Sequence, residues 1–243
     1  MIEWTEEGIV LGSRLHGETA AIAEVMTRER GRWTGMVHGG RGRRARPILQ
    51  PGNVVEATWS ARLDEQLGRF HLEPMRLRAA TLMQTALGIY GTQTLAAHLR
   101  LLPERDPHAR LYDMADALLD NLGDAKLAGE LLVRFEMQLL QELGFGMDVS
   151  HCAVTGQTQD LAFVSPRSGR AVSREGAEGY ESKLLPLPRF LLLDDVGTAG
   201  RDDLAAGFEL TGRFLERAVW HTREIAPPVE RDSFRRTVLK ETA

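Results

Sequence analysis

The stretch NVVEATWSA, residues 53–61, sets Val55, Ala57 and Trp59 on one side of an extended chain and Val54, Glu56, Thr58 and Ser60 on the other. Strand side chains alternate between faces, so this period of two marks a half-buried strand. Outward from it the texture repeats. GIVLGSRL (8–15) runs into the turn HGETA, and AIAEVMTRE (21–29) carries Ile22 and Met26 on one face. RGR (30–32) turns, and WTGMVHG (33–39) follows. On the far side QLGRFHLEP (66–74) closes the series, with Pro74 expected to end it. Five short strands with glycine turns in under 80 residues predict a small β-barrel.

The pattern changes near residue 76. RAATLMQTALGIYGTQTLAAHLRLL (78–102) is apolar most of the way round and predicts a buried helix. DPHARLYDMADALLDNLG (106–123) predicts a second, with Asp106 as cap, Pro107 in the first helical position and Gly123 as stop. Its stripe is Leu111, Met114, Leu118 and Leu122. GELLVRFEMQLLQELGFG (129–146) predicts a third, with Leu132, Phe135, Leu139 and Leu143 on one face. Residues 147 to about 198 are irregular, and 201–224 read as a last amphipathic helix. The polar tail APPVERDSFRRTVLKETA (226–243) is expected to fray. The fold class is thus α+β multidomain, with a barrel over 1–75 and a helical domain over 76–243.

With 243 residues, 43% hydrophobic and 26% charged, the chain can bury a sizeable core without disulfides. Its single cysteine, Cys152, rules out an internal disulfide and fits a reducing compartment. MIEWTEEGIV lacks the apolar run of a signal peptide, and no stretch is long enough to span a membrane. A cytoplasmic protein is expected.

The net charge is −4, yet residues 28–46 hold seven arginines, Arg28, Arg30, Arg32, Arg41, Arg43, Arg44 and Arg46, against the single acid Glu29. Arginine forks match phosphate oxygens, and glycines such as those of HGGRGRRARP (38–47) let a backbone approach them. A basic connection between strands of a small barrel suits an oligonucleotide; a solvated surface loop is the plain alternative. Trp59 reads as barrel core, because its face is apolar. Trp33 reads either as core or as a platform on which a base stacks.

The run EGIVLGSRLHGETAAIAEVMTRERGRWTGMVHGGRGRRAR resembles the opening of the bacterial RecO family of recombination mediators and DNA-repair proteins. The likeness lies in Glu7–Leu11, Gly17-Glu18, Thr27–Gly31 and the glycine/basic loop Gly39–Arg46. LLVRFEMQLLQELGFGMDVSHCAVTG resembles a second block of that family. The resemblance implies an OB-fold, a helical domain, and a zinc-finger-like excursion, here 147–180. It implies binding of single- and double-stranded DNA, strand annealing, and work in the RecF pathway with RecR and the SSB protein to load RecA. It also implies docking of the acidic SSB tail. Arg134, in the family's Arg-Phe-Glu position, is the candidate for the tail carboxylate, with Arg100 and Arg110 as further charge. The other reading of Arg134 is a helix-surface ion pair.

Many relatives carry two Cys-x-x-Cys pairs that suit a structural zinc. The matching positions here are Cys152 and Thr155, then Ser173 and Gly176, so a degenerate, metal-free segment is expected, packed through Val154, Leu161, Phe163 and Val172. No cofactor is expected. His151 adjoins Cys152 but is too close in sequence to share an ion with it in good geometry. Cys152 itself reads as a small, partly buried hydrophobe.

Enzyme signatures are missing. The seven histidines form no zinc-protease pair, and there is neither a Gly-x-Ser-x-Gly elbow nor a phosphate-binding Gly-x-x-x-x-Gly-Lys loop. The two aspartates of LLLDDVG (191–197) read as a metal pair or as the start of a capping loop. A non-enzymatic protein is expected: a DNA-binding mediator or, alternatively, an adaptor whose basic loop meets an acidic protein partner.

Overall fold

Five strands close on themselves: β1 (Ile2–His16), β2 (Ala20–Thr27), β3 (Gly31–Val37), β4 (Val54–Ala61) and β5 (Arg69–Arg76), with the short helix α1 (Ala45–Ile48) between β3 and β4. The computed structural model describes residues 1–63, 65–193 and 196–242; Asp194 and Asp195, and with them the reading of LLLDDVG, lie outside the described residues. The barrel order is β1-β2-β3-β5-β4. Every pairing is antiparallel but β3 with β5, a single parallel match of Met36 with Arg69. This is an OB-fold barrel.

β1 starts at Ile2, six residues before the expected Gly8, because it serves two partners. Residues 2–9 pair with β4 and residues 8–16 with β2, and a register shift between Val10 and Gly12 bends the strand from one to the other. Pro74 does not end β5 but sits inside it, opposite Val55. It is tolerated because β5 meets β3 at Arg69 alone, which leaves the other edge of the strand without a ladder to break.

The alternation of residues 53–61 is realised in β4, where Val55, Ala57, Trp59 and Ala61 point into the core and Glu56 is exposed. Trp4, Trp33, Trp59 and Phe70 fill the barrel. Trp33 meets Trp59 edge-on at 4.6 Å between centroids, and Trp4 meets Trp33 at 5.2 Å. Such aromatic contacts add to burial, and truncating a tryptophan here costs about 3–5 kcal/mol.

The chain divides into two compact units, Met1–Asp120 and Asn121–Ala243. The first includes α2 (Ala79–Leu82), α3 (Ala86–Leu99) and α4 (Ala109–Asp120) as well as the barrel. The single helix expected over 78–102 is therefore two. Thr85 leaves the helical conformation and caps α3, its hydroxyl accepting from the Gly88 amide at 3.0 Å. Helix α4 begins two residues after Pro107; of the expected stripe Leu111 and Leu118 are buried, Met114 is half-buried, and Leu122 is buried beyond the helix end.

In the second unit, Asp124 caps α5 (Ala125–Glu142) by accepting from the amides of Lys126 and Leu127. A small antiparallel sheet follows in the order β7-β6-β8, from β6 (Leu161–Val164), β7 (Ala171–Ser173) and β8 (Leu185–Pro186). Helix α6 (Arg201–Leu215) runs into one π-helical turn at Glu216–Trp220. The tail expected to fray is instead a packed helix, α7 (Val229–Glu241), in which Phe234 and Val238 are fully buried. Arg231 on α7 donates Nε to Glu136 Oε1 at 2.7 Å and Nη2 to Oε2 at 2.8 Å, and both groups are buried. Two apolar residues four apart and one arginine opposite a buried acid suffice to hold an otherwise polar helix. Among the described residues no helix is long and apolar enough to cross a membrane.

Candidate nucleic-acid interface

The seven arginines of residues 28–46 fall into two groups. Arg28 grips Asp113 with two hydrogen bonds, Nε to Oδ1 at 2.9 Å and Nη2 to Oδ2 at 3.0 Å, which hold its guanidinium above its ordinary pKa. Arg30 pairs with Glu6 at 2.7 Å and lies over the Trp4 ring. Arg32 binds Glu24 at 2.8 Å, Glu104 at 3.1 Å and the Leu102 carbonyl at 3.1 Å. These three, expected to meet DNA, are engaged with acids of their own unit. Each phosphate contact would first have to break an ion pair.

Trp33, read either as core or as a base platform, lies in the barrel core. The residue is 6% exposed, its ring packed in the barrel with Nε1 donating to the Arg30 carbonyl at 2.8 Å and Arg105 over its face at 4.3 Å. No face is left for a base.

Arg41, Arg43, Arg44 and Arg46 are exposed, and none meets a carboxylate among the described residues. Their loop is nonetheless fixed. The Arg41 amide donates to the Thr19 carbonyl at 3.1 Å and its Nη1 to the Gly17 carbonyl at 2.8 Å, which ties the loop to the β1–β2 turn. Gly42 closes a turn onto Gly39 at 2.8 Å, and the amides of Ala45 and Arg46 both bond to the Gly42 carbonyl. Leu49, just past α1, is buried in the barrel core. At Gly40 a Cβ would lie 2.7 Å from the Ala21 Cβ, so glycine there serves loop-to-strand packing.

The structure adds Arg69, absent from the sequence reading. Its pairing with Met36 sets it one residue from the strand end that leads into the basic loop. Beside it lies a cleft of about 600 Å³ lined by Met1, Met36, Arg62, Gln66, Leu67 and Arg69. Four loop arginines without a carboxylate partner among the described residues, with Arg62 and Arg69 lining a mostly apolar cleft, can grip a phosphodiester backbone and leave room for bases.

Of the residues expected to receive an acidic tail, Arg134 is 18% exposed in its side chain and engaged inside the second unit. Its Nε and Nη2 bind Glu130 Oε1 at 3.1 and 2.9 Å, Nη2 also reaches the Phe190 carbonyl at 2.7 Å, and Nη1 reaches that of Leu193 at 3.0 Å. Glu130 is fully buried. The ion-pair reading holds, though inside the unit and not on a helix surface. Arg100, in the first unit, donates to Glu24 at 2.7 Å and to the Leu11 carbonyl at 3.1 Å. Arg110 is exposed at the start of α4.

Positions 152, 155, 173 and 176 do come together. Cys152 Sγ, 1% exposed, accepts from the amides of Val154 and Thr155 at 3.4 Å and from the amide and hydroxyl of Ser173 at 3.3 Å. Burial pushes the thiol up, but the bonds from Ser173 and Thr155 outweigh it and bring it down to about 6. One sulfur, a serine already donating to it, a threonine and a glycine do not make a zinc ligand set, so the residues present do not fit that metal. Among the described residues no three His, Cys, Asp or Glu side chains gather to hold an ion. Leu161 and Val172 are buried as expected of the packing, but Val154 is 60% exposed.

Comparison with known proteins covers nearly the whole chain. Residues 1–77 match the family described as Recombination protein O N terminal, and residues 86–223 match Recombination protein O C terminal. The chain is 53% identical over 239 residues to the DNA repair protein RecO of Rhizobium etli (strain CFN 42), covering 98% of this chain and 93% of that protein. It is 52% identical over 233 residues to the DNA repair protein RecO of Brucella abortus (strain 2308), covering 96% and 94%.

Proposed function

Because this chain belongs to the RecO family of DNA repair proteins, we propose that it works in repair as a non-catalytic mediator that binds single- and double-stranded DNA and anneals complementary strands. With RecR it would help load RecA onto strands coated by SSB. The observation that carries the DNA-binding part is the set of four exposed arginines, Arg41, Arg43, Arg44 and Arg46, with no carboxylate partner among the described residues.

Annealing needs phosphate charge screened while base edges stay free. Arginines on a pinned loop supply the first, since they meet the backbone and read no sequence. Arg69 and Arg62, beside the cleft, would extend the track. Partner contacts with RecR and the SSB tail rest on the family resemblance; of Arg100, Arg110 and Arg134, the first two are exposed, Arg100 while paired with Glu24.

The test is single-strand binding by the intact protein across a salt series. Each arginine–phosphate contact contributes about 0.7 to the slope of log K against log salt. A steep slope that falls by about 0.7 for each of the four arginines replaced by alanine supports the reading. A slope and affinity unchanged in the quadruple variant would refute it, and would favour an acidic protein as the partner of the loop.

A further inference from the structure

Many relatives in the resembled family carry cysteine pairs that suit a metal at the positions matching 152, 155, 173 and 176, and the side chains here do not fit one. Two turns nevertheless keep the form that such a site needs. In the first, Cys152 Sγ accepts from the Thr155 amide three residues on; in the second, Ser173 Oγ accepts from the Gly176 amide at 3.1 Å, again three residues on. The turns face each other. The Ser173 hydroxyl donates to Cys152 Sγ, and an ideal Cβ on Gly176 would lie 2.9 Å from that sulfur and 3.2 Å from Ser173 Oγ. Gly176 is not in the left-handed region, so a side chain at 176 meets no backbone penalty, although its Cβ requires Cys152 Sγ to give way by a few tenths of an ångström.

We infer that the Ser173 O–H to Cys152 Sγ hydrogen bond is the cross-link between the two turns, acting where a metal ion would otherwise join them, and that the scaffold remains a four-ligand site lacking three of its ligands. The sulfur suits this role. It is enclosed and accepts four donors from both turns at once, so it gathers them around one centre as a bound ion gathers its ligands. Asp148 and Ala171 support the arrangement from outside it, since the Ala171 amide bonds to the Asp148 carbonyl and the Ala153 amide to the Ala171 carbonyl, both at 2.8 Å. The backbone of the excursion is therefore closed without help from side chains at 155 and 176.

Two variants of the full-length protein test this. Thr155→Cys, Ser173→Cys and Gly176→Cys combined would complete four thiolates with Cys152. Purified with zinc ion alone as the probe, this variant is expected to hold close to one zinc per chain by elemental analysis. Its melting temperature should rise with zinc and fall back with chelator, while the parent responds to neither. A folded triple variant holding far less than one zinc per chain overturns the inference, as does a parent protein that carries stoichiometric zinc. Ser173→Ala removes the hydroxyl cross-link together with the Gly176 amide bond to the same oxygen, and leaves the Ser173 amide on Cys152 Sγ. It should lower the melting temperature and speed alkylation of Cys152 roughly tenfold, the order of one buried hydrogen bond. If Ser173→Ala melts and reacts as the parent does, the cross-link is not what holds the turns. Should the triple variant fail to fold, this second arm decides.

Discussion

Arg28 and Asp113 lie 85 residues apart in sequence and meet as a fork on a carboxylate, with paired bonds of 2.9 and 3.0 Å. The barrel's β2–β3 turn is thereby tied to α4 within the first unit. An arginine that touches Glu29, its neighbour in sequence, at 2.6 Å is taken up as well by an acid far along the chain.

The two groups of arginines should separate in one experiment. Replacing Arg28, Arg30 and Arg32 by alanine should lower the melting temperature and leave the salt slope of single-strand binding nearly unchanged. Replacing Arg41, Arg43, Arg44 and Arg46 should do the reverse, since exposed positions change stability by only about 0.5 kcal/mol. Paired melting curves and salt series check both halves. Equal loss of DNA affinity in the two variants would sink the division.

Arg134→Ala should destabilise the protein by on the order of 3 kcal/mol, because it leaves the buried Glu130 without its cation, its other oxygen held by the amides of Gly197 and Ala199. Naked DNA binding should stay normal at temperatures where the variant is folded. Thermal melts with binding at 10–15 °C below the midpoint would show this; a variant that melts like the parent returns Arg134 to the list of surface candidates.

Helix α7 should prove structural. Arg231→Ala leaves Glu136 buried without its partner and is expected to cost about 3–5 kcal/mol. Replacing Glu136 and Arg231 together by glutamine and methionine should recover much of that loss, since no charge is then left alone. Denaturant titration of the two singles and the double measures the coupling.

Asp116 gives the first unit an acid-sensitive joint. Burial raises its pKa, but hydrogen bonds from Arg76 and Arg78 outweigh this and hold it below 3.8. A carboxylate depressed in the folded state contributes stability in full above the unfolded pKa and loses it as pH falls through the folded one. The stability gap between the parent and Asp116→Asn should therefore be widest above about pH 4 and close as the pH drops below it. Melting temperatures measured from pH 6 to pH 2 would reveal a gap that fails to close.

What could be read from the sequence follows from the range of each interaction. The alternation of Val55, Ala57 and Trp59 is local, and the barrel followed from it. The stripe through Leu111 and Leu118 is local too. The pairing of Arg28 with Asp113, of Arg32 with Glu104 and of Arg134 with the carbonyls of Phe190 and Leu193 joins residues 56 to 85 apart, and no spacing rule reports such pairs. Trp33 was ambiguous because its strand carries polar and small residues on both sides. The sequence of α7 reads as a polar tail, although Phe234 and Val238, four apart, mark a buried edge. At the candidate interface the loop arginines were visible as composition, but their freedom became visible only once the acids had been placed.

The contact between Glu136 and Arg231 also bears on the order of events during synthesis. Glu136 emerges from the ribosome 95 residues before the arginine that neutralises it. The first unit, complete by Asp120, can close while the chain is still growing. The second cannot bury α5 with an ionised Glu136 until residue 231 and its helix have been made. Until then the nascent segment carries either an exposed apolar face or an uncompensated charge, so the second half of this chain is the part that a truncated or stalled product would leave open to proteases.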